Sequence, residues 1–207
     1  MMNKFSVIMT VYDNGREISE NLPAFLTQQY EPGYEVIVVD ESSTDETDDV
    51  LTLLKQQHPH LYSTFLPKPD AHRNRRRLAL TIGVKAAKNE WVIFSDINSC
   101  PQDNTWLQTI ADNLGNGSGI MLAHYKKGNL VMRTFEGLEE VSDYIVKGER
   151  LRADGHKGRH LRKLRGKYDF IVVRADEAHE LLKYFEQQVG FGRLLGLRMN
   201  IFFRNLF

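Results

Sequence analysis

An α/β fold built on a mainly parallel sheet is what this sequence predicts, and three observations predict it. Short apolar runs rich in β-branched residues recur at 5–9, 35–39 and 91–95, the pattern of strands covered on both faces. Segments with helical apolar spacing alternate with them, as they do where crossover helices cover a parallel sheet. The chain has 207 residues, 42% hydrophobic and 26% charged, which is enough for one substantial core.

The elements follow in order. After the 5–9 strand, Ile18, Leu22, Phe25 and Leu26 form one apolar stripe and predict a helix facing the sheet. After the 35–39 strand, Ser43 stands three residues before Glu46, a capping-box spacing, and Val50, Leu53 and Leu54 share a face until Pro59 stops the helix. Residues 61–66 read as a strand, and 76–88 as a helix with Leu78, Ile82 and Ala86 aligned. Beyond the 91–95 strand, Leu107, Ile110, Ala111 and Leu114 mark another helix, residues 116–119 a turn, and 120–125 a strand. The run 168–173 predicts a last strand, and Ala178, Leu181, Leu182 and Phe185 a last helix.

Composition excludes several function classes. Twenty-seven basic residues balance 27 acidic ones, so no net field draws the chain to nucleic acid or anionic lipid. Neither basic run, 72–77 or 150–167, is interleaved with aromatics for base stacking, so nucleic acid is not an expected partner. Cys100 is the only cysteine, which removes an internal disulfide framework. The N-terminal apolar run breaks at Asp13 and Asn14, too early for a signal peptide, and a cytoplasmic location is expected.

In an open parallel sheet, ligands bind outside the carboxyl ends of the strands, where loops diverge and helix N-termini point inward. Three such ends carry oxygen-rich polar residues: Thr10-Val11-Tyr12-Asp13, Asp40-Glu41-Ser42, and Ser95-Asp96-Ile97-Asn98. Turn and capping preferences explain any one of them. Together they offer a ring face, an acceptor for base N–H groups and a carboxylate–amide pair, which a nucleotide with its diphosphate can use.

Residues 6–30, 34–47 and 75–101 resemble, in continuous order, the nucleotide-binding half of the inverting family 2 glycosyltransferases of the GT-A fold. The resemblance implies that Thr10, Val11 and Tyr12 flank a base and that Asp40 accepts a uracil-type N–H. It further implies that Arg77 and Ser95 help hold the nucleotide, and that Asp96 with residue 98 bridges a divalent cation, Mn²⁺ or Mg²⁺, to the diphosphate. The donor implied is a nucleotide diphosphate sugar, UDP type favoured, and the acceptor a saccharide or a lipid-linked one. The domains implied are a nucleotide-sugar half at 1–115, a reduced acceptor half at 116–188 with a basic loop at 150–167, and an apolar, basic tail at 189–207.

The chain departs from the family pattern at two points. Asn98 stands where the family has Asp, and an amide oxygen brings no charge to a hard cation, so metal binding is expected to be weak. Ser95 and Asp103 are possible additional ligands. No counterpart of the catalytic base is legible. The acidic clusters in the second half are Glu136, Glu139 and Glu140, and Asp176 with Glu177, the last pair also explained by the helix macrodipole. The leading expectation is a transferase making a polysaccharide or glycolipid, and the alternative is a catalytically impaired protein that binds nucleotide or acts as a scaffold.

Two segments keep more than one reading. The loop 150–167, with eight Lys or Arg, two His and three Gly, either neutralises a departing diphosphate or grips a phosphate-bearing acceptor, or is simply solvated. The tail, with Phe191, Leu194, Leu195, Met199, Ile201, Phe202 and Phe203 beside Arg193, Arg198 and Arg204, suits peripheral contact at the inner face of a membrane. It equally suits packing against the domain or a second copy.

Overall fold

The computed structural model describes residues 3–67, 75–114, 119–141, 143–144 and 168–188, the last five of these by backbone alone. The segments 150–167 and 189–207, with the expectations set on them, lie outside the described residues. The elements run β1 (Phe5–Val11), α1 (Gly15–Leu26), β2 (Tyr34–Asp40), α2 (Thr47–Gln57), β3 (Leu61–Phe65), α3 (Arg75–Ala86) and β4 (Trp91–Phe94). They continue with α4 (Trp106–Asn113), β5 (Ile120–Lys126), β6 (Asn129–Phe135), β7 (Phe170–Arg174) and a final helix, α5 (Ala175–Gln188).

The seven strands form one sheet in the order β3-β2-β1-β4-β7-β5-β6. The first four are mutually parallel, joined by crossover helices. β7 inserts antiparallel between β4 and β5, and β6 closes that edge as a hairpin with β5. β1 is central and buried along its whole length. Alternation splits it between two cores: Phe5, Val7, Met9 and Val11 pack with α1 and α4, while Ile8 packs with α3 and α5. Trp106 of α4 anchors the first core, 4.8 Å from the ring of Phe170 and edge-on to Phe25 at 5.8 Å.

The α1 stripe of Ile18, Leu22, Phe25 and Leu26 is buried as the spacing predicts. Three expectations are corrected. The capping box at Ser43 does not form: α2 begins at Thr47 without a side-chain cap, because the Ser43 hydroxyl donates to Asp40 and accepts from the Asp13 N–H. Leu53 points to solvent, and Leu51 takes the buried position in α2. In α3 the sheet-facing residues are Ala79, Leu80, Gly83 and Val84, whereas Leu78 is exposed. Small residues let this helix approach closely, since a Cβ on Gly83 would stand 2.4 Å from Ile8 Cγ2. β6, which the sequence reading does not include, follows a tight turn at Lys127-Gly128 with positive φ at both residues (51° and 82°).

Candidate nucleotide site

The strand register sets three polar ends side by side. Val11 pairs with Asp40, so Tyr12 leaves β1 beside the end of β2. Phe94 pairs with Ile8, and the Ser95 N–H donates to the Ile8 carbonyl at 3.0 Å, which brings Asp96 to the other flank of β1. Tyr12 is 37% exposed at this edge, while Thr10, Val11 and Ser95 are buried beneath. The residues expected at the base and at the phosphates therefore share one crevice edge, at the carboxyl ends of β2, β1 and β4.

The loops above this edge are laced together. Asp13 accepts the Thr44 N–H at 2.7 Å, the Asp13 N–H reaches Ser43 Oγ at 2.9 Å, and Asp45 accepts the Gly15 N–H at 2.9 Å. Asp13 and Ser42 both adopt positive φ, 47° and 70°, a strained backbone of the kind that surrounding contacts must enforce. Asp40 spends one oxygen on Ser43, which donates through both its N–H (2.9 Å) and its hydroxyl (2.5 Å). No bond among the described residues is recorded for the other oxygen, which leaves an oriented acceptor for a base N–H.

Glu41, next to Asp40, was not singled out by the sequence. Burial pushes its carboxyl above the usual carboxylate range, against the lowering effects of the Thr10 hydroxyl, Arg76 and Arg75. The folded state then holds a proton that the unfolded chain has lost, so this contribution to stability is complete below the unfolded pKa and disappears as pH rises through the folded one. Glu41→Gln keeps the neutral form at every pH. Its melting temperature relative to wild type should therefore rise between about pH 4 and neutrality; parallel curves over that range would contradict the burial of this carboxyl.

The end expected to face the phosphates is built around Asp96. Its Oδ2 accepts from Arg76 Nη2 at 3.1 Å. Its Oδ1 accepts from the Asn98 backbone N–H at 2.9 Å and from Asn98 Nδ2 at 3.1 Å. Arg77, the arginine expected here, lies one residue along α3 and is half-buried; its neighbour Arg76 is the one in contact with Asp96. Arg75, Arg76 and Arg77 occupy the first turn of α3 with no acidic residue among them. Cations at a helix N-terminus oppose the macrodipole, a local cost that an anionic ligand would relieve.

This donor set does not fit a divalent cation as it stands. A carboxylate offers about four lone-pair sites, and Asn98 and Arg76 fill three of those on Asp96. Asn98 turns its amide nitrogen toward the carboxylate, so its oxygen faces away. Among the described residues no group of three or more His, Cys, Asp or Glu converges to hold a metal. Asp103 is engaged elsewhere, accepting from the Thr105 N–H and hydroxyl at the start of α4.

Both acidic clusters lie away from this site. β6 ends at Phe135 beside Ile120, and β7 ends at Arg174 beside Trp91, so Glu136, Glu139, Glu140, Asp176 and Glu177 gather at the opposite end of the sheet. There they line an open cavity of about 750 Å³. The carboxylate that the acceptor-side strands do bring to the crevice end is Asp169, just before β7. It accepts from Ser99 Oγ at 3.3 Å and from the Tyr125 N–H at 2.7 Å, tying the Asp96–Ser99 turn to β5. No sequence signal marks it, because its partners are 70 and 44 residues away.

A mainly parallel sheet with polar strand ends facing an arginine-bearing helix N-terminus is an α/β arrangement of the GT-A type. Residues 6–173 match the family model described as glycosyl transferase family 2, and the chain belongs to that family. An uncharacterised glycosyltransferase from Nostoc sp. is 30% identical over 127 residues, 59% of this chain and 36% of that protein. The poly(ribitol-phosphate) beta-glucosyltransferase of Bacillus spizizenii is 28% identical over 128 residues, 59% of this chain and 19% of that protein. The chain thus spans about a third or less of the length of these relatives. Among solved structures, the mannosyltransferase PcManGT from Pyrobaculum calidifontis, in complex with GDP-Man and Mn²⁺, superposes with a TM-score of 0.53. That match has 24% identity and covers 61% of this chain and 36% of that one. A mycobacterial protein superposes with a TM-score of 0.51 at 16% identity, covering 84% of this chain and 54% of that one. Both likenesses support the fold. Among the described residues no helix is long and apolar enough to cross a membrane.

Proposed function

We propose that this chain binds a nucleotide diphosphate sugar at the carboxyl ends of β2, β1 and β4 and transfers the sugar, with inversion, to a saccharide or lipid-linked acceptor. The observation that carries the reading is the side-by-side register of Tyr12, Asp40 and Asp96 beneath the arginine-bearing start of α3. Tyr12 supplies the face for the base, Asp40 the acceptor for its N–H, and the α3 arginines the counter-charge for the diphosphate. Family membership supports a transferase, and one relative named above is a poly(ribitol-phosphate) beta-glucosyltransferase. Cell-envelope polysaccharide is the acceptor class we favour, on the poly(ribitol-phosphate) relative.

Inverting transfer requires an acceptor hydroxyl to attack the anomeric carbon from the face opposite the diphosphate. The bond to the diphosphate oxygen breaks and a carboxylate takes the hydroxyl proton. Neither acidic cluster of the second half serves, since both stand at the far end of the sheet. Asp169, at the near end, is placed to hold the Asp96 turn against the acceptor side.

The test is a panel of UDP- and GDP-sugars screened by thermal unfolding and then by donor turnover with and without Mn²⁺. A ligand at about 100 times its Kd raises stability by about 2.7 kcal/mol, an easily read shift. A stabilising sugar nucleotide that is also consumed is the expected result. Stabilisation without turnover, in the presence of polymer acceptors, would favour the binding-only alternative, and no stabilisation by any donor would contradict the site.

A further inference from the structure

Resting on the nucleotide reading above, we propose that the Arg76 guanidinium replaces the divalent cation at the diphosphate, and that this chain binds nucleoside diphosphate without metal. Asp96 is poorly presented as a metal ligand: Asn98 fills one of its oxygens with two N–H groups, and Arg76 takes one of the two sites on the other. The carboxylate side chain is 14% exposed and that of Arg76 30%, so the pair is partly buried. A cation entering here would have to displace or lie against a guanidinium, with one carboxylate rather than two to offset its charge.

The same contacts make Arg76 a fixed cation. A guanidinium carries five N–H donors in a rigid fork. Asp96 takes one through Nη2, and the Nε hydrogen is buried with no acceptor among the described residues. An unsatisfied buried donor is costly in a protein that needs it for nothing. The orphaned Nε and the helix start with three arginines and no acid are separate observations; an anion of several oxygens relieves the second where it stands and the first once the guanidinium turns toward it. Asp96 and Asn98 then act as the clamp that holds the guanidinium plane, and Asn98 is the residue that closes the carboxylate to metal.

Two measurements on the full chain test this. Titration of Mn²⁺ alone, followed by electron paramagnetic resonance, should show no saturable site in wild type and one in the Arg76→Met/Asn98→Asp double variant, where a carboxylate pair is opened. Calorimetric titration of UDP should give wild-type affinities in EDTA and in Mn²⁺ within about twofold of each other. Arg76→Met should weaken UDP binding in EDTA by about 10- to 100-fold, the loss of a charge-assisted hydrogen bond. Arg76→Lys, which keeps the charge, should fall between and serves if the Met variant does not fold. A wild-type UDP affinity that drops more than about tenfold in EDTA, or an Arg76→Met chain that binds UDP like wild type, overturns the proposal. If UDP binds no variant in either buffer, the nucleotide reading fails. The Mn²⁺ arm then still decides the metal: saturable wild-type uptake that is lost in Asp96→Asn overturns the closed carboxylate.

Discussion

Gln28→Leu is expected to lower unfolding free energy by roughly 2–4 kcal/mol, because it orphans a buried donor and two partly buried acceptors at once. Gln28 is 8% exposed and lies two residues beyond the end of α1. Its Nε2 donates to the Ala24 carbonyl and, across 75 residues, to the Asp103 carbonyl, both at 2.8 Å. Its Oε1 accepts the Leu107 N–H at 3.2 Å, in the first turn of α4, where no side chain caps the helix locally. The residue therefore does the work of an N-cap from another part of the chain. It also fixes the segment that leads out of the Asp96–Ser99 turn. Gln28→Glu keeps the acceptor and loses the donors, and should fall between wild type and Leu. Urea unfolding curves check the order, and a Leu variant within about 0.5 kcal/mol of wild type would contradict the bracing role.

Gly83→Val should cost about 3 kcal/mol or more, through overpacking. Two effects oppose each other here. Replacing a mid-helix glycine gains less than about 1 kcal/mol of helix propensity. The first carbon added would meet Ile8 Cγ2 at 2.4 Å, inside van der Waals contact, and Val39 Cγ2 lies at 3.6 Å. Ile8 belongs to the central strand and is fully buried, so it cannot move aside cheaply. The clash wins. α3 must lift from the sheet, and because its first turn carries Arg76, nucleotide affinity should fall along with thermal stability. Thermal unfolding measures the first and UDP titration the second; a variant at least as stable as wild type would mean that α3 does not sit this close to β1.

These cases show which parts of the molecule are legible in a sequence. The α1 stripe can be read directly, because large apolar residues at 18, 22, 25 and 26 dominate its pattern and all four are buried. The α3 face misleads for the opposite reason: its contact surface is made of Ala79 and Gly83, which carry little hydropathy, while the conspicuous Leu78 is exposed. β6 escapes notice because it is an edge strand with mostly exposed side chains, entered through Lys-Gly rather than through a strong hairpin turn signal. The polar strand ends at Tyr12, Asp40 and Asp96 are legible since strand ends are local features. Gln28 to Asp103, Ser99 to Asp169 and Arg76 to Asp96 are not, because each links segments 20 to 75 residues apart that only the folded sheet brings together.

The most direct test of the nucleotide site is calorimetric titration of UDP into wild type and Asp40→Ala. Asp40 is oriented by Ser43 and has one oxygen left to accept a base N–H. Removing it should cost about 1–3 kcal/mol of binding, a weakening of roughly 5- to 150-fold, and should also lower the unfolding temperature, because two Ser43 donors lose their acceptor. Equal UDP affinity in a folded Asp40→Ala chain would contradict the placement of the base at the ends of β1 and β2.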